Sequence, residues 1–318
     1  MTLPKILSNI TKAILGNYLS WTISSIWHKK SGKTLILNFH RVSNSRGSLW
    51  TPCPIDTFNL FLKESQKFFE IVSFQDIGEK RKKAALILSF DDGYLDFYEN
   101  VAPILDSESL KCNQNIIPHC VVTGRPPINV LIQDFAGLAP ESLLATIEWG
   151  IKFENSRNPR AELLQFSQSI KSEGIAKQAE AMDLIFPQIQ SYPEFMCAKM
   201  MTLSQIQSLP KHFSIGNHSF RHVNANAMTL DEFKMDLRSS QEWFEKNGFT
   251  DKTIYAFPNG AYSTDHVVYL IEEGYQHILL VSNSSSENFS KVRKRVNATP
   301  QNIQEARFDS LRPLIRVL

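Results

Sequence analysis

Apolar residues along this chain follow two alternating periods. Short apolar runs that stop on polar or charged residues, at Lys33–Val42, Ala84–Phe90, Cys120–Gly124, His212–Gly216, Thr253–Phe257 and His277–Ser282, read as strands covered on both faces. Between them, Ile55–Phe69 and Tyr94–Leu105 carry apolar residues at helical spacing. Thr202-Leu-Ser-Gln205 and Thr229-Leu-Asp-Glu232 have capping-box form, the second opening a helix that runs to Asn247-Gly248. A further helix starts at Ser263 or Thr264 and ends near Gly274. Strand and helix alternate over roughly 280 residues, which predicts a (β/α) barrel and not an open sheet.

Two stretches break the alternation. Residues 125–200 are punctuated by Pro126, Pro127, Pro140, Pro159, Pro187 and Pro193, with helical stretches at Glu141–Phe153 and Ala161–Phe186. No flexible linker flanks them, so they are expected to be a helical insertion in a loop of one barrel spanning 31–318. Residues 1–30 are expected to form an N-terminal helical extension. Its Ile6, Ile10, Ile14, Leu19, Trp21, Ile23, Ile26 and Trp27 are interrupted by Asn9, Lys12, Gly16, Asn17 and Ser20, so no apolar span of about 20 residues exists. Nor does a compact apolar region end in a small-residue cleavage site. A helix packed on the barrel is expected, with peripheral membrane contact through Trp and Ile side chains, and Lys29 and Lys30 at the headgroups, as the alternative.

Composition narrows the function. With 318 residues and a net charge of +2, the chain lacks the basic footprint of a nucleic-acid binder. Cys53, Cys112, Cys120 and Cys197 show no CxxC spacing and are expected to be reduced thiols of a cytosolic protein. In that compartment the N-x-S/T triplets at Asn9, Asn217, Asn283, Asn288 and Asn297 carry no meaning.

Candidate chemistry gathers where strands end. The Ala84–Phe90 run stops on Asp91-Asp92-Gly93, and two neighbouring carboxylates at a buried strand end repel unless a positive charge sits between them. A metal ion answers this, with one Asp as ligand and the other free as base; the plainer reading is a turn. His40 and Arg41 end the first strand and would emerge on the same barrel face. His218 and His222 follow another strand end, and their spacing of four puts both imidazoles on one side if the segment turns helically. Together with Asp92 they make a mixed nitrogen and oxygen set with open positions for water, which suits zinc and some other divalent transition ions; a polar surface pair is the plainer alternative. His119, His212, His266 and His277 have no such company.

Ser89-Phe-Asp-Asp-Gly93, His218-Ser-Phe-Arg-His222 and Ala256-Phe-Pro-Asn-Gly260, in this order and each behind a strand, resemble the motifs of the polysaccharide deacetylase family, the NodB-homology carbohydrate esterases. Asn38-Phe-His-Arg-Val42 and Arg295-Val296 resemble its subgroup found with bacterial surface-polysaccharide synthesis. The resemblance spans roughly residues 33–300. It implies a distorted (β/α)7 barrel and metal-dependent hydrolysis of an N-acetyl, less often O-acetyl or N-formyl, group on a sugar or glycan. It further implies Asp91 as general base, Asp92, His218 and His222 as metal ligands, and a backbone N–H at Asn259 that helps to hold the oxyanion. The chain departs from the family at Ala256, where many members carry an Arg that orients the base. Arg295 is the first candidate for that role and Arg41 the second. A late Leu-x-His motif that often supplies the general acid is not apparent, and His40 is the expected replacement. Two rivals remain: a deformylase or amidase acting on another amide, and an inactive barrel that serves as a binding protein.

Overall fold

The computed structural model describes residues 15–152, 158–251, 253–281 and 289–315. Phe153, Ser282, Asn283, Asn288 and the residues named above between Ile6 and Ile14 lie outside the described residues.

Among the described residues, eight parallel strands form one sheet: β1 (Leu35–Phe39), β2 (Phe69–Ile71), β3 (Ala84–Phe90), β4 (Cys112–Ile116), β5 (Phe213–Asn217), β6 (Ile254–Ala256), β7 (His277–Val281) and β8 (Val292–Asn297). Seven of them close a ring, because β1 pairs with both β8 and β3. The short β2 pairs with the start of β3, on the edge opposite β1, while β4 takes the end of that same edge. The fold is therefore the distorted (β/α)7 barrel, with an extra strand at its seam.

Period-2 alternation divides each strand between two environments. Leu35, Leu37 and Phe39 of β1 and Leu86, Leu88 and Phe90 of β3 point outward into the main helix-covered core. The intervening positions point inward. Ile36, Ile87, Ile254 and Leu279 fill the lower interior together with Val72 and Phe74. Above them the interior turns polar, with buried Asn38, Ser89, Asn113, Asn115 and Arg295. A barrel interior that is apolar at the strand starts and polar at the strand ends can carry chemistry at one face only.

One expected strand is corrected, and two strands carry no apolar signal. Cys120–Gly124 belongs to a helix, Pro118–Thr123, that opens on a proline and closes on left-handed Gly124, both of which fit helix ends. The strand lies earlier, at β4, whose Cys-Asn-Gln-Asn-Ile sequence is fully buried although three of its five residues are amides. A polar strand inside a barrel leaves no apolar signal. The strand β8 was likewise hidden, since Val292-Arg-Lys-Arg-Val-Asn297 is half charged. Both capping boxes form as read, at Thr202 with Gln205 and at Thr229 with Glu232.

Between β4 and β5 the chain makes the helices Ile128–Leu138, Glu141–Leu144, Pro159–Ile170 and Ile175–Ile189. They share a hydrophobic cluster built on Leu131, Phe135, Trp149, Leu163 and Ile185. At the other end of the chain, the Leu19–Ser31 helix packs on the barrel through Trp21, Ser24 and His28. The Trp21 indole donates to Glu64 at 2.9 Å, and Ser24 donates to the Ser310 carbonyl at 2.7 Å. Among the described residues no helix is long and apolar enough to cross a membrane. All four cysteines are free.

Candidate active site

The strand ends deliver the expected residues to one place. Asp91 and Asp92 follow β3, His40 follows β1, His218 follows β5, Asn259 sits on the turn after β6, and Arg295 rises on β8. Asp91, Asp92, His40, His218, His222 and Asn259 line one cavity of about 410 Å³.

Asp91 is held from four sides. Arg295 grips it with both terminal nitrogens, Nη1 to Oδ1 at 2.8 Å and Nη2 to Oδ2 at 2.9 Å. Asn115 donates to Oδ1 at 2.7 Å and Asn38 to Oδ2 at 2.8 Å. Burial alone would push this carboxyl up, but the Arg295 guanidinium beside it holds it far below the usual carboxylate range. The positive charge expected between the two aspartates is therefore Arg295 for Asp91, which leaves Asp92 to other partners. Arg41 lies elsewhere: it bonds Asp96 at 3.0 Å and the Cys197 carbonyl at 3.3 Å.

Asp92 turns the other way, with a left-handed backbone at φ 76°. Its buried Oδ1 has no hydrogen-bond partner and faces two imidazole nitrogens, His218 Nε2 at 3.2 Å and His222 Nε2 at 3.3 Å. His218 Nδ1 donates to the Ala256 carbonyl at 2.8 Å, so its Nε2 presents a lone pair to the cavity. The donor atoms of Asp92, His218 and His222 all lie within 4.8 Å of one another. The negative field at this spot calls for a positive charge: burial disfavours a proton on His218, yet the charge of Asp91 and the contact with Asp92 raise its affinity for one. An orphaned carboxylate oxygen facing two imidazoles fits a divalent cation.

The spacing of the histidines works differently from the helical turn expected. Residues 218–222 form a loop in which Ser219 (φ 64°) and His222 (φ 62°) are left-handed. Non-glycine residues in that region cost on the order of 1–3 kcal/mol each and persist where surrounding contacts over-determine them. Here Asp236 accepts from the N–H groups of Phe220 at 2.8 Å and Arg221 at 3.1 Å, pinning the loop from the Leu230–Lys246 helix.

His40 Nε2 lies 3.9 Å from Asp91 Oδ2, and its ring meets the edge of Trp50 at 5.6 Å. Burial lowers its proton affinity against the pull of both aspartates. Asn259 adopts φ 53° and its side chain donates to Asn224 at 2.8 Å. Sequence reasoning passed over Asn115, Trp50 and the cavity wall supplied by Asn129, Gln133, Gln168 and Lys171. For Asn115 no local signal existed, because its role depends on β4 lying beside β3.

Comparison with known proteins adds the following. A family model described as polysaccharide deacetylase matches residues 195–278, the stretch that carries His218, His222 and Asn259. No curated protein sequence matches the chain. Among solved structures, the chain is similar to the Streptococcus pyogenes deacetylase PplD in complex with acetate, with a TM-score of 0.56 and 15% identity over 86% of this chain and 95% of that one. It is similar also to IcaB from Ammonifex degensii, with a TM-score of 0.56 and 13% identity over 87% of this chain and 96% of that one. At such identities the structures speak for the fold, and the family model speaks for the half of the site that holds both histidines. Residues 195–278 thus match the polysaccharide deacetylase family model, and the barrel as a whole shares the fold of these deacetylases.

Proposed function

We propose that the protein is a zinc-dependent deacetylase that removes an N-acetyl group from a sugar of a glycan. The observation that carries this reading is the division between the two neighbouring aspartates. Asp91 is clamped and ionised, while Asp92 faces two imidazoles with an orphaned oxygen. Amide hydrolysis needs one carboxylate for proton transfer and a separate set of donors for a cation.

Asp92 Oδ1, His218 Nε2 and His222 Nε2 would hold the ion. A divalent cation held there would polarise the amide carbonyl and make the attacking water more acidic. The remaining steps fall to the chain's own groups. Asp91 takes the proton of the attacking water. Its four donors fill the lone-pair directions of the carboxylate, so one must yield, and Oδ2 is the oxygen nearer both His40 and His218, at 3.9 and 3.8 Å. The backbone N–H of Asn259 stabilises the oxyanion. His40, kept neutral at rest by burial, receives the proton from Asp91 and passes it to the leaving amine. The bidentate grip of Arg295 supplies what Ala256 cannot, which weighs against an inactive binding barrel.

The test is Asp91→Asn in zinc-loaded protein, assayed for acetate and formate release from N-acylated sugars. Retained zinc with a 10²–10⁴-fold lower rate supports the reading, and a near-native rate overturns the base assignment. Faster formate than acetate release would favour the deformylase.

We infer that the outer face of the Leu19–Ser31 helix rests on an anionic bilayer. Its buried stripe is Ser20, Trp21, Ser24 and His28, whereas Leu19, Ile23 and Ile26 are 58%, 45% and 49% exposed. Ile23, Ile26, Trp27 and Leu314 line an open groove, and residues 15–33 hold three lysines and no carboxylate. Co-sedimentation with phosphatidylglycerol vesicles that Ile23→Asp abolishes supports this contact; unchanged sedimentation, or a concentration-dependent dimer instead, refutes it.

A further inference from the structure

The segment between β4 and β5 builds one wall of the catalytic cavity. Its Ile128–Leu138 helix supplies Asn129 and Gln133. The Pro159–Ile170 helix and the residue that follows it supply Leu164, Gln168 and Lys171, whose spacing places them on one helix stripe. Three carboxamides and one ammonium thus face the strand ends across a space that suits a small ligand.

The charges in this cavity balance unevenly. Asp91 is neutralised by Arg295. Asp92 is committed to the two imidazoles and to the cation that they fit. Lys171 makes no ion pair with a carboxylate among the described residues. Its ammonium is half-buried at the end of its helix, where lost solvation opposes the charge and only the field of Asp92 favours it. With the cation bound, that field is cancelled and the cavity carries surplus positive charge. A partly desolvated ammonium without a partner is costly unless an anion arrives to meet it.

We propose that Lys171 anchors an anionic group of the substrate, a carboxylate or a phosphate on the glycan, at the rim of the cavity while the acetamide reaches Asp91. The inference rests on the deacetylase reading for the sugar, but the recognition of charge stands on Lys171 itself. The neighbouring amides of Gln168 and Asn129 suit the hydroxyl groups of the same sugar. A neutral glycan would leave the ammonium unmet.

The test uses the zinc-loaded full chain, as wild type, Lys171→Gln and Lys171→Arg, with thermal melting to verify folding. Three probes are compared: a neutral N-acetylglucosamine oligomer, N-acetylglucosamine 1-phosphate and an N-acetylated amino-uronate. Calorimetry gives binding and acetate release gives turnover. In the wild type at least one anionic probe is expected to bind about tenfold tighter than the neutral one. Lys171→Gln is expected to erase that preference, and Lys171→Arg to restore most of it. The favoured anionic probe tells phosphate from carboxylate. An anion preference equal in wild type and Lys171→Gln, or a preference for the neutral oligomer, overturns the proposal. Charge-selective binding without acetate release would overturn the deacetylase reading and leave the anchor standing; release from the neutral oligomer alone would do the reverse.

Discussion

Replacing Arg295 by Met removes the cation that keeps Asp91 charged inside the barrel. Both groups are essentially inaccessible, at 0% and 2% exposure, so solvent cannot take over the role of the guanidinium. Breaking a buried pair by deleting one partner costs about 3–5 kcal/mol, because the other charge stays behind uncompensated. The hydrogen bonds from Arg295 to Asn38 at 2.6 Å and to Ser89 at 3.0 Å go as well, each worth about 1 kcal/mol. Against a typical domain stability of about 5–15 kcal/mol this is a large share, and the variant is expected to melt early. The decisive comparison is a double-mutant cycle. Asp91→Asn together with Arg295→Met leaves no unpaired charge, so it is expected to be less destabilised than the sum of the singles by at least about 2 kcal/mol. Urea unfolding followed by tryptophan fluorescence reads this directly, with Trp21 and Trp149 buried as reporters. Arg295→Lys keeps the charge but loses the two-pronged grip and is expected to fall between wild type and Met. If Arg295→Met costs under about 1 kcal/mol, or if the cycle is additive, Arg295 does not set the state of Asp91 and the account of the base fails.

Other outcomes follow from the same contacts. His222→Ala is expected to lower zinc affinity at least about 10²-fold, and full zinc occupancy of the purified variant under chelator competition would remove His222 from the ligand set. His28 is buried and its proton affinity is pushed down to about 4 by burial, with its Nδ1 against the Ser24 carbonyl. A histidine held below its unfolded value of about 6.5 stabilises the fold above that pH and loses the contribution as pH falls toward 4, a loss of roughly 3 kcal/mol. The wild type is therefore expected to lose that much more than His28→Gln in urea titrations between pH 7 and 4, and parallel pH profiles would refute the assignment. Gly216→Ala would place a Cβ 2.1 Å from Asn115 Oδ1. Asn115 must then leave Asp91, so the rate is expected to drop at least tenfold with zinc content retained, and an unchanged rate would show that this amide does not matter.

The sequence by itself determined the alternation of strands and helices, the two capping boxes, and the strand ends at which Asp91, His40 and His218 appear. Buried parallel strands must be apolar on both sides where helices cover them, and β1 and β3 carry that signal in full. It also named Asp92, His218 and His222 as a group, since strand ends and residue types are local facts. Three things only the tertiary structure decided. The amide-rich β4 is a strand because Asn113 and Asn115 face a polar barrel interior, where their side-chain N–H groups donate to Ser89, Asp91 and the Ser214 carbonyl. The histidine pair converges through left-handed turns at Ser219 and His222 instead of a helical one, held by Asp236 from another element. Arg295 reaches Asp91 across 204 positions because closing the ring sets β8 beside β1 and β1 beside β3. A periodic pattern reports which face a residue shows to the core, whereas which two inward-facing charges meet depends on barrel closure, a relation between strands that no single stretch of chain encodes.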